Sequence, residues 1–388
     1  MTYKYTHFIP QNTALKGAKE IGVYNDKGEK ICSIHLGRLT PTTKEKLYSF
    51  GLVSDTHMAY DSYTDKNDPA TVGLKTNDGY GFLPNGTKLR RALEFMNEQG
   101  VDFCCNCGDM TNNGFYNTSN GEKYYYPYQF QEYRDICSLF PDMPMYNVCG
   151  NHESYNMDIS ESLDDLETYT GNREIAFHFK RNNDVFIFVG QSKNTVPMTD
   201  THLQWLIDRL IGFKDNRCFL FVHSFIDENW KEGEVEEDEI QDSGNPCDAR
   251  NNSIFGYWED YYPEKLDMFL NALKAHPNLI LFHGHSHIKF EAQEFSESAN
   301  YTENNGFKSI HIPSSADPRS LLSQDGTWEA DRAASQGYIV DVYDDCIVLN
   351  GMNFINKKPV PLGVYKIDTT LQTIEANTFT DSTGTITT

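Results

Sequence analysis

Five stretches of the chain share one pattern, a short apolar run followed at once by a polar motif. They are LYSFGLVSDTH (47–57), VDFCCNCGDM (101–110), MPMYNVCGNHE (143–153), CFLFVHSF (218–225) and LILFHGHSH (279–287). Short continuous apolar runs predict strands buried on both faces. Between them the spacing changes to a helical period. TKLRRALEFMNEQG ends in Gly100, suited to a position just past a helix C-terminus, and QFQEYRDICSLF follows the second motif. THLQWLIDRLIG puts Leu203, Leu206, Ile207, Leu210 and Ile211 on one face, with Thr201 and Gln204 in capping-box spacing. YPEKLDMFLNALKAHPN carries Pro263 at a first helical position and Pro277 beyond its last apolar residue.

Strands alternating with helices imply an α/β core, in which ligands bind outside the carboxyl ends of the strands. The five polar motifs all fall at such ends, so the fold would gather them in one crevice. IAFHFKRNNDVFIFVG and GYIVDVYDDCIVLNGMNF read as hairpins and predict a second sheet or antiparallel edge strands. KEIGVYNDKGEKICSIHLGRL reads as a further hairpin with Asp26, Lys27 and Gly28 in its turn, part of a small β appendage over residues 1–46. The core is expected over 47–352, with 353–388 as a C-terminal extension whose Thr-rich end is expected to be mobile. Two long polar insertions leave strand ends facing the crevice. One is YDSYTDKNDPATVGLKTNDGYGFLPNG; the other follows the fourth motif and includes an acidic run from Glu234 to Glu239. Loops in such positions serve as lids or walls, or as solvated excursions.

Composition narrows the function classes. A length of 388 residues and an aromatic content of 13% supply ample core material. The formal charge of −23 opposes stable nucleic-acid binding and an anionic membrane surface. It leaves room for a small phosphorylated substrate, since bound cations reverse the local sign of a cleft. Cys104, Cys105 and Cys107 sit in one apolar run and point to alternate faces, which suits core packing better than metal binding. The cysteine pattern suggests a reducing compartment. MTYKYTHFIP lacks an apolar signal core and no stretch approaches a membrane span, so a cytoplasmic location is expected.

The strand ends then supply the chemistry. Asp55 and His57 form D-x-H, Asp109 follows Gly108, and Gly150 to Glu153 read G-N-H-E. His223 ends the fourth strand, and Gly284 to His287 form G-H-x-H. Carboxylate, amide and imidazole donors without thiolates suit Mn, Fe, Zn or Ni better than a structural zinc site. The set is too large for one ion and matches two ions about 3.5–4 Å apart.

The ordered series D-x-H, G-D, G-N-H-E, H, G-H-x-H resembles the calcineurin-like metallophosphoesterase family, over roughly residues 47 to 350. GVYNDKGEKICSIHLGRL is more weakly similar to leaders on some bacterial and phage-encoded members. The resemblance implies a two-sheet α/β sandwich flanked by helices and a dinuclear centre of divalent or trivalent transition metals. It implies that Asp55, His57 and His287 bind one ion, that Asn151, His223 and His285 bind the other, and that Asp109 bridges with its two oxygens. His152 would not be a ligand; it would contact the phosphate or the leaving oxygen, as proton donor or as stabiliser of the equatorial oxygens. Asn112 stands where many members carry Asp, a change expected to alter hydrogen bonds around the ligands. His283 and Glu153 are expected to be packing or orienting residues. The implied activity is phosphoester hydrolysis by a metal-bridging hydroxide. Phosphodiesters are favoured over monoesters of a small molecule or phosphoprotein, because no Arg cluster stands out to clamp a dianionic monoester, although Arg90, Arg91 or Arg250 could approach one. A non-hydrolytic scaffold on the same fold, for instance in a phage particle, is the alternative of another class. Oligomeric state is not legible.

Overall fold

The computed structural model describes residues 21–24, 30–34, 45–58, 84–112, 115–117, 123–125, 127–153, 167–168, 170–171, 174–191, 198–224, 262–295, 300–303, 306–321 and 328–372. The Thr-rich end, the turn at 25–29, the acidic run and most of both insertions lie outside these residues. Strands Ile21–Tyr24 and Lys30–Ile34 pair antiparallel, as the hairpin pattern predicts. Among the described residues no helix is long and apolar enough to cross a membrane.

Each apolar run forms a strand, and the strands are divided between two six-stranded sheets. The first sheet holds β1 (Tyr48–Val53), β2 (Phe103–Asn106) and β3 (Met145–Asn147) in parallel. The second holds β4 (Ala176–Arg181), β5 (Asp184–Val189), β6 (Cys218–Val222) and β7 (Leu279–His283), completed by β8 (Tyr301–Thr302) and β9 (Lys308–His311). Strands β5, β6, β7 and β9 run parallel, and β4 and β8 are antiparallel edges. The first sheet is extended antiparallel by β10 (Gln336–Val342), β11 (Cys346–Asn353) and β12 (Lys358–Asp368). Strand β12 pairs along β11, and its Val360, Tyr365 and Ile367 enter the common core. The sheet therefore continues past the boundary at residue 352 expected from the sequence.

The alternation within each strand sorts side chains between two layers. In β6, Phe219 and Phe221 face the opposite sheet, while Cys218, Leu220 and Val222 face helices. The sheets meet through aromatic rings: Phe50 lies 5.4 Å from Phe186 and 5.6 Å from Phe219, centroid to centroid. Helices α1 (Asn85–Glu98) and α2 (Pro127–Cys137) cover the first sheet through Leu89, Leu93, Met96, Phe130 and Tyr133. Helices α3 (Asp200–Gly212) and α4 (Pro263–Lys274) cover the second through Leu203, Leu206, Leu210, Phe269 and Leu273.

The caps show where local reading succeeded and where it slipped. Gly100 is left-handed just past α1 (φ 70°), and Pro263 opens α4. Helix α3 begins earlier than Thr201: Thr199 is its cap, its hydroxyl accepting the amide of His202 at 3.2 Å. Thr199 has extended backbone and its hydroxyl takes the amide three residues on, so Thr201 falls within the helix. The cysteines divide by face. Cys104 packs among the helix-side residues, with Met96 Sδ at 3.4 Å, and Cys105 and Cys107 enter the inter-sheet core. Burial pushes all three thiols up, away from the thiolate a metal requires.

Candidate metal centre

Backbone hydrogen bonds lace the motif loops together. The amides of Asp55 and His57 donate to the carbonyls of Gly108 and Asp109 at 3.0 and 2.9 Å, so the loops after β1 and β2 run side by side. Gly284 donates to the His223 carbonyl at 3.1 Å, and Ser315 donates to the Ser54 carbonyl at 2.9 Å, tying one sheet to the other. The turns are sharp. Asp55, His57, Asp109, His285 and His287 have φ of 52°, 39°, 51°, 71° and 60°, five of the seven non-glycine residues with positive φ among those described. Such backbone costs about 1–3 kcal/mol per residue and persists only where the surroundings impose it. The motif glycines have a matching reason. A methyl on Gly108, itself at φ 105°, would run into the His223 ring, and one on Gly150 would strike the Asp109 carboxylate.

Two groups of donors result. Asp55, His57, Asp109 and His287 form one, and Asp109, His223 and His285 form the other; within each, the donor atoms lie within 4.8 Å of one another. Asn151 extends the second group, its Oδ1 lying 3.0 Å from His223 Nε2. Asp109 is common to both. Its Oδ2 stands 3.2 Å from His223 Nε2 and 3.6 Å from His57 Nε2, while Oδ1 accepts the His152 amide at 3.0 Å. One oxygen thus faces both groups, where the sequence reading gave the two oxygens to share.

These donors fit a cation. His57 Nε2 and His287 Nε2 are 3.0 Å apart. Asp55 Oδ1 lies 3.1 Å from the latter and 3.8 Å from the former, buried and without a hydrogen-bond partner. Nitrogen and oxygen lone pairs buried face to face need a positive charge between them. The rings are oriented from behind. His223 Nδ1 faces the Cys107 carbonyl at 2.7 Å and His287 Nδ1 faces the Asp317 carbonyl at 3.3 Å. A carbonyl only accepts, so Nδ1 carries the proton in both rings and Nε2 turns inward as a ligand atom.

The electrostatics agree. Burial lowers His57, and burial with His223 nearby takes His285 down to about 3, so both stay neutral. Burial alone would raise Asp55 and Asp109, but His287 beside the first and His223 beside the second outweigh it and hold both carboxyls below their usual range. For His223 burial lowers the value, yet the Asp109 carboxylate wins and pushes it up to about 9. The pocket draws a positive charge to that nitrogen, and a metal ion would take the place of the proton.

His152 stands at the mouth, with 26% of its side chain exposed, and belongs to neither group. Its Nδ1 meets the Asn112 carbonyl at 2.7 Å, and its Nε2 is 3.9 Å from Asp109 Oδ2. Asn112 therefore acts on the site through its backbone. Glu153 is buried and accepts the amides of Thr111 and Gly150 at 2.9 and 2.7 Å, an orienting role. His283 is buried behind the turn, its ring 5.5 Å from that of His311, and lies outside both groups.

Sequence reading passed over a supporting layer. Ser54 Oγ donates to Asp55 Oδ2 at 2.5 Å, and Ser314 Oγ donates to the Asp55 carbonyl at 2.9 Å. Asn85 Nδ2 reaches the His57 carbonyl at 2.6 Å, and the buried Lys88 donates to the Ala316 carbonyl. The signal was present: IHIPSSADPR is a sixth apolar run followed by a polar motif.

Comparison with known proteins places this arrangement. No curated protein matches the chain. Among solved structures, a dimetal phosphatase from Danio rerio is 15% identical, with 84% of this chain and 100% of that chain covered and a TM-score of 0.47. A purple acid phosphatase from yellow lupin (Lupinus luteus) seeds is 12% identical, with 83% and 53% covered and a TM-score of 0.48. GAP50, the anchor in the inner membrane complex of Plasmodium, is 12% identical, with 86% and 91% covered and a TM-score of 0.47. The family model for calcineurin-like phosphoesterases matches residues 48–289, from the first strand through the G-H-x-H turn. With that match spanning all five motifs and more than half of its length, the chain belongs to the calcineurin-like phosphoesterases, a family that depends on a dinuclear metal centre.

Proposed function

We propose that this phosphoester hydrolase acts on phosphodiesters of small molecules. In this reading Asp55, His57, Asp109 and His287 hold one transition metal ion, and Asp109, Asn151, His223 and His285 hold the second. The observation that carries it is the position of Asp109 Oδ2 against both His57 and His223. When bound, the ions would supply a water acidic enough to ionise near neutral pH and positive charge against the phosphate oxygens. The chain's own residues do the rest. Asp55 and Asp109 hold the negative charge that retains the cations, and the carbonyls of Cys107 and Asp317 keep the imidazoles aimed.

His152 supplies the proton. The Asn112 carbonyl occupies its Nδ1–H, so a proton for the substrate must be a second one, carried on Nε2. As the oxygen of water bonds to phosphorus and the bond from phosphorus to the leaving oxygen breaks, that proton passes to the leaving oxygen, and the product leaves as an alcohol.

One feature supports diesters over monoesters: Arg90, one candidate clamp for a dianionic monoester, is engaged with Glu94 at 2.8 Å on an exposed face of α1. The test is hydrolysis of bis-p-nitrophenyl phosphate against p-nitrophenyl phosphate, with Mn, Fe, Zn or Ni added back after chelation. Faster turnover of the diester supports the proposal. Faster turnover of the monoester would assign the enzyme to phosphomonoesters.

A further inference from the structure

We infer that His311 is a positioning residue for both metal positions at once, acting through Ser286. The inference rests on the reading that His285 and His287 are ligands of different ions. Ser286 is the residue between them. Its neighbours are left-handed on either side, with φ of 71° and 60°, and this double turn sends the two imidazoles apart. His285 Nδ1 goes to His223 Nε2 at 3.2 Å, and His287 Nε2 goes to Asp55 Oδ1 at 3.1 Å.

Something must hold a turn that two strained residues would otherwise relax. Ser286 is buried, and its hydroxyl is joined to His311 Nε2 by a hydrogen bond of 2.7 Å. The same hydroxyl accepts the amide of Ile288 at 3.4 Å. His311 is well placed for this. It closes β9, in register with His283 at the end of β7, and so lies beside the point where the chain leaves the sheet at Gly284. The amide of Ile312 donates to the His283 carbonyl at 2.8 Å, locking that register.

A fully buried imidazole is a costly choice for packing alone, since its polar nitrogens lose water. Its position makes sense if the ring secures Ser286. Loss of the contact would release the turn at its midpoint and displace His285 and His287 together. Loss of either ligand alone would instead affect mainly one position.

The experiment titrates Mn(II) into chelated full-length protein by calorimetry, alongside thermal unfolding of the metal-free protein. The variants are Ser286→Ala, His311→Leu, the double variant and His311→Gln, whose amide reaches about as far as Nε2. Supporting residues of this kind typically contribute about 10–100-fold to metal affinity. Ser286→Ala and His311→Leu should each weaken both sites by that factor. The double variant should be no weaker than His311→Leu, and His311→Gln should recover most of the loss. Unchanged affinity at both sites, weakening confined to one site, or additive losses in the double variant would overturn the inference. If His311→Leu lowers metal-free stability too far to titrate, Ser286→Ala and His311→Gln carry the same decision. Failure of the wild-type protein to bind two ions would instead overturn the ligand reading itself.

Discussion

One carboxylate oxygen of Glu153 accepts both the backbone amide and the hydroxyl of Thr111, at 2.9 and 3.2 Å. Its other oxygen accepts the Gly150 amide at 2.7 Å. A single buried side chain thus clamps the loop that bears Asn151 and His152 onto the loop that bears Asp109. Glu153→Gln keeps the size but turns an amide N–H toward a backbone N–H. A buried donor left without an acceptor costs about 1–3 kcal/mol. The variant should unfold at lower temperature, and its metal affinity should fall about tenfold or more. Calorimetric unfolding and metal titration check both, and a variant with wild-type values in both would remove the clamp from the account.

The shared position of Asp109 predicts an asymmetry between ligand substitutions. Asp109→Ala should lower occupancy at both positions, whereas His287→Ala should mainly empty one. Elemental analysis after dialysis against saturating metal gives the stoichiometry directly. A wild-type value that stays at one ion per chain under excess metal would refute the dinuclear assignment.

His152→Gln separates proton donation from binding. A nitrophenolate leaves without a proton and an alkoxide does not. The variant should therefore lose about 10²–10⁴-fold on alkyl phosphoesters, and much less on nitrophenyl esters, with metal content unchanged. Because Nδ1–H is held by Asn112, the active donor is the doubly protonated ring. Equal losses on both substrate types would assign His152 to electrostatic stabilisation.

The opposite end of the strands carries a structural network. Arg217 is buried and donates to both oxygens of Asp184, at 2.9 and 2.6 Å. It also donates to the Tyr343 carbonyl at 2.7 Å and to Thr369 Oγ1 at 2.8 Å, while the Tyr48 hydroxyl donates to Asp184. Removing one partner of a buried pair typically costs about 3–5 kcal/mol. Arg217→Ala should lose stability on that scale in denaturant unfolding, while the folded fraction keeps its metal stoichiometry. Metal loss from folded protein would show coupling between the two ends.

Glu132 offers a pH test away from the metals. It is half-buried on α2 against Gly86, and burial pushes its carboxyl from 4.5 up to about 7. Between those values the native chain holds a proton that the unfolded chain has released, so stability falls as pH rises through this window. Glu132→Gln removes that loss. The variant should match wild type near pH 4 and exceed it near pH 8 by on the order of 1 kcal/mol. Thermal unfolding at the two pH values decides it, and equal stability at both would show that the carboxylate keeps enough water to ionise freely.

What the sequence determined by itself was local or periodic. Apolar runs marked β1, β2, β3, β6 and β7 because strand burial depends on consecutive side chains. The same pattern located Asp55, Asp109, Asn151, His223 and His285, since a polar motif after a buried strand must lie at the sheet's rim. What only the tertiary structure decided depends on distances between residues far apart in the chain. The division of the strands between two sheets brings His287 within 3.1 Å of Asp55, although the two lie far apart in the chain. The left-handed backbone at Asp55, His57, Asp109, His285 and His287 is imposed by the crossing of loops; Asp and His tolerate it, but their presence alone does not say where it occurs. Asp109 Oδ2 faces both donor groups while Oδ1 accepts the His152 amide, and Glu153 ties down the loop that carries that amide. Ser286 and His311 meet because β9 pairs in parallel beside β7, and parallel pairing joins segments that no local pattern connects.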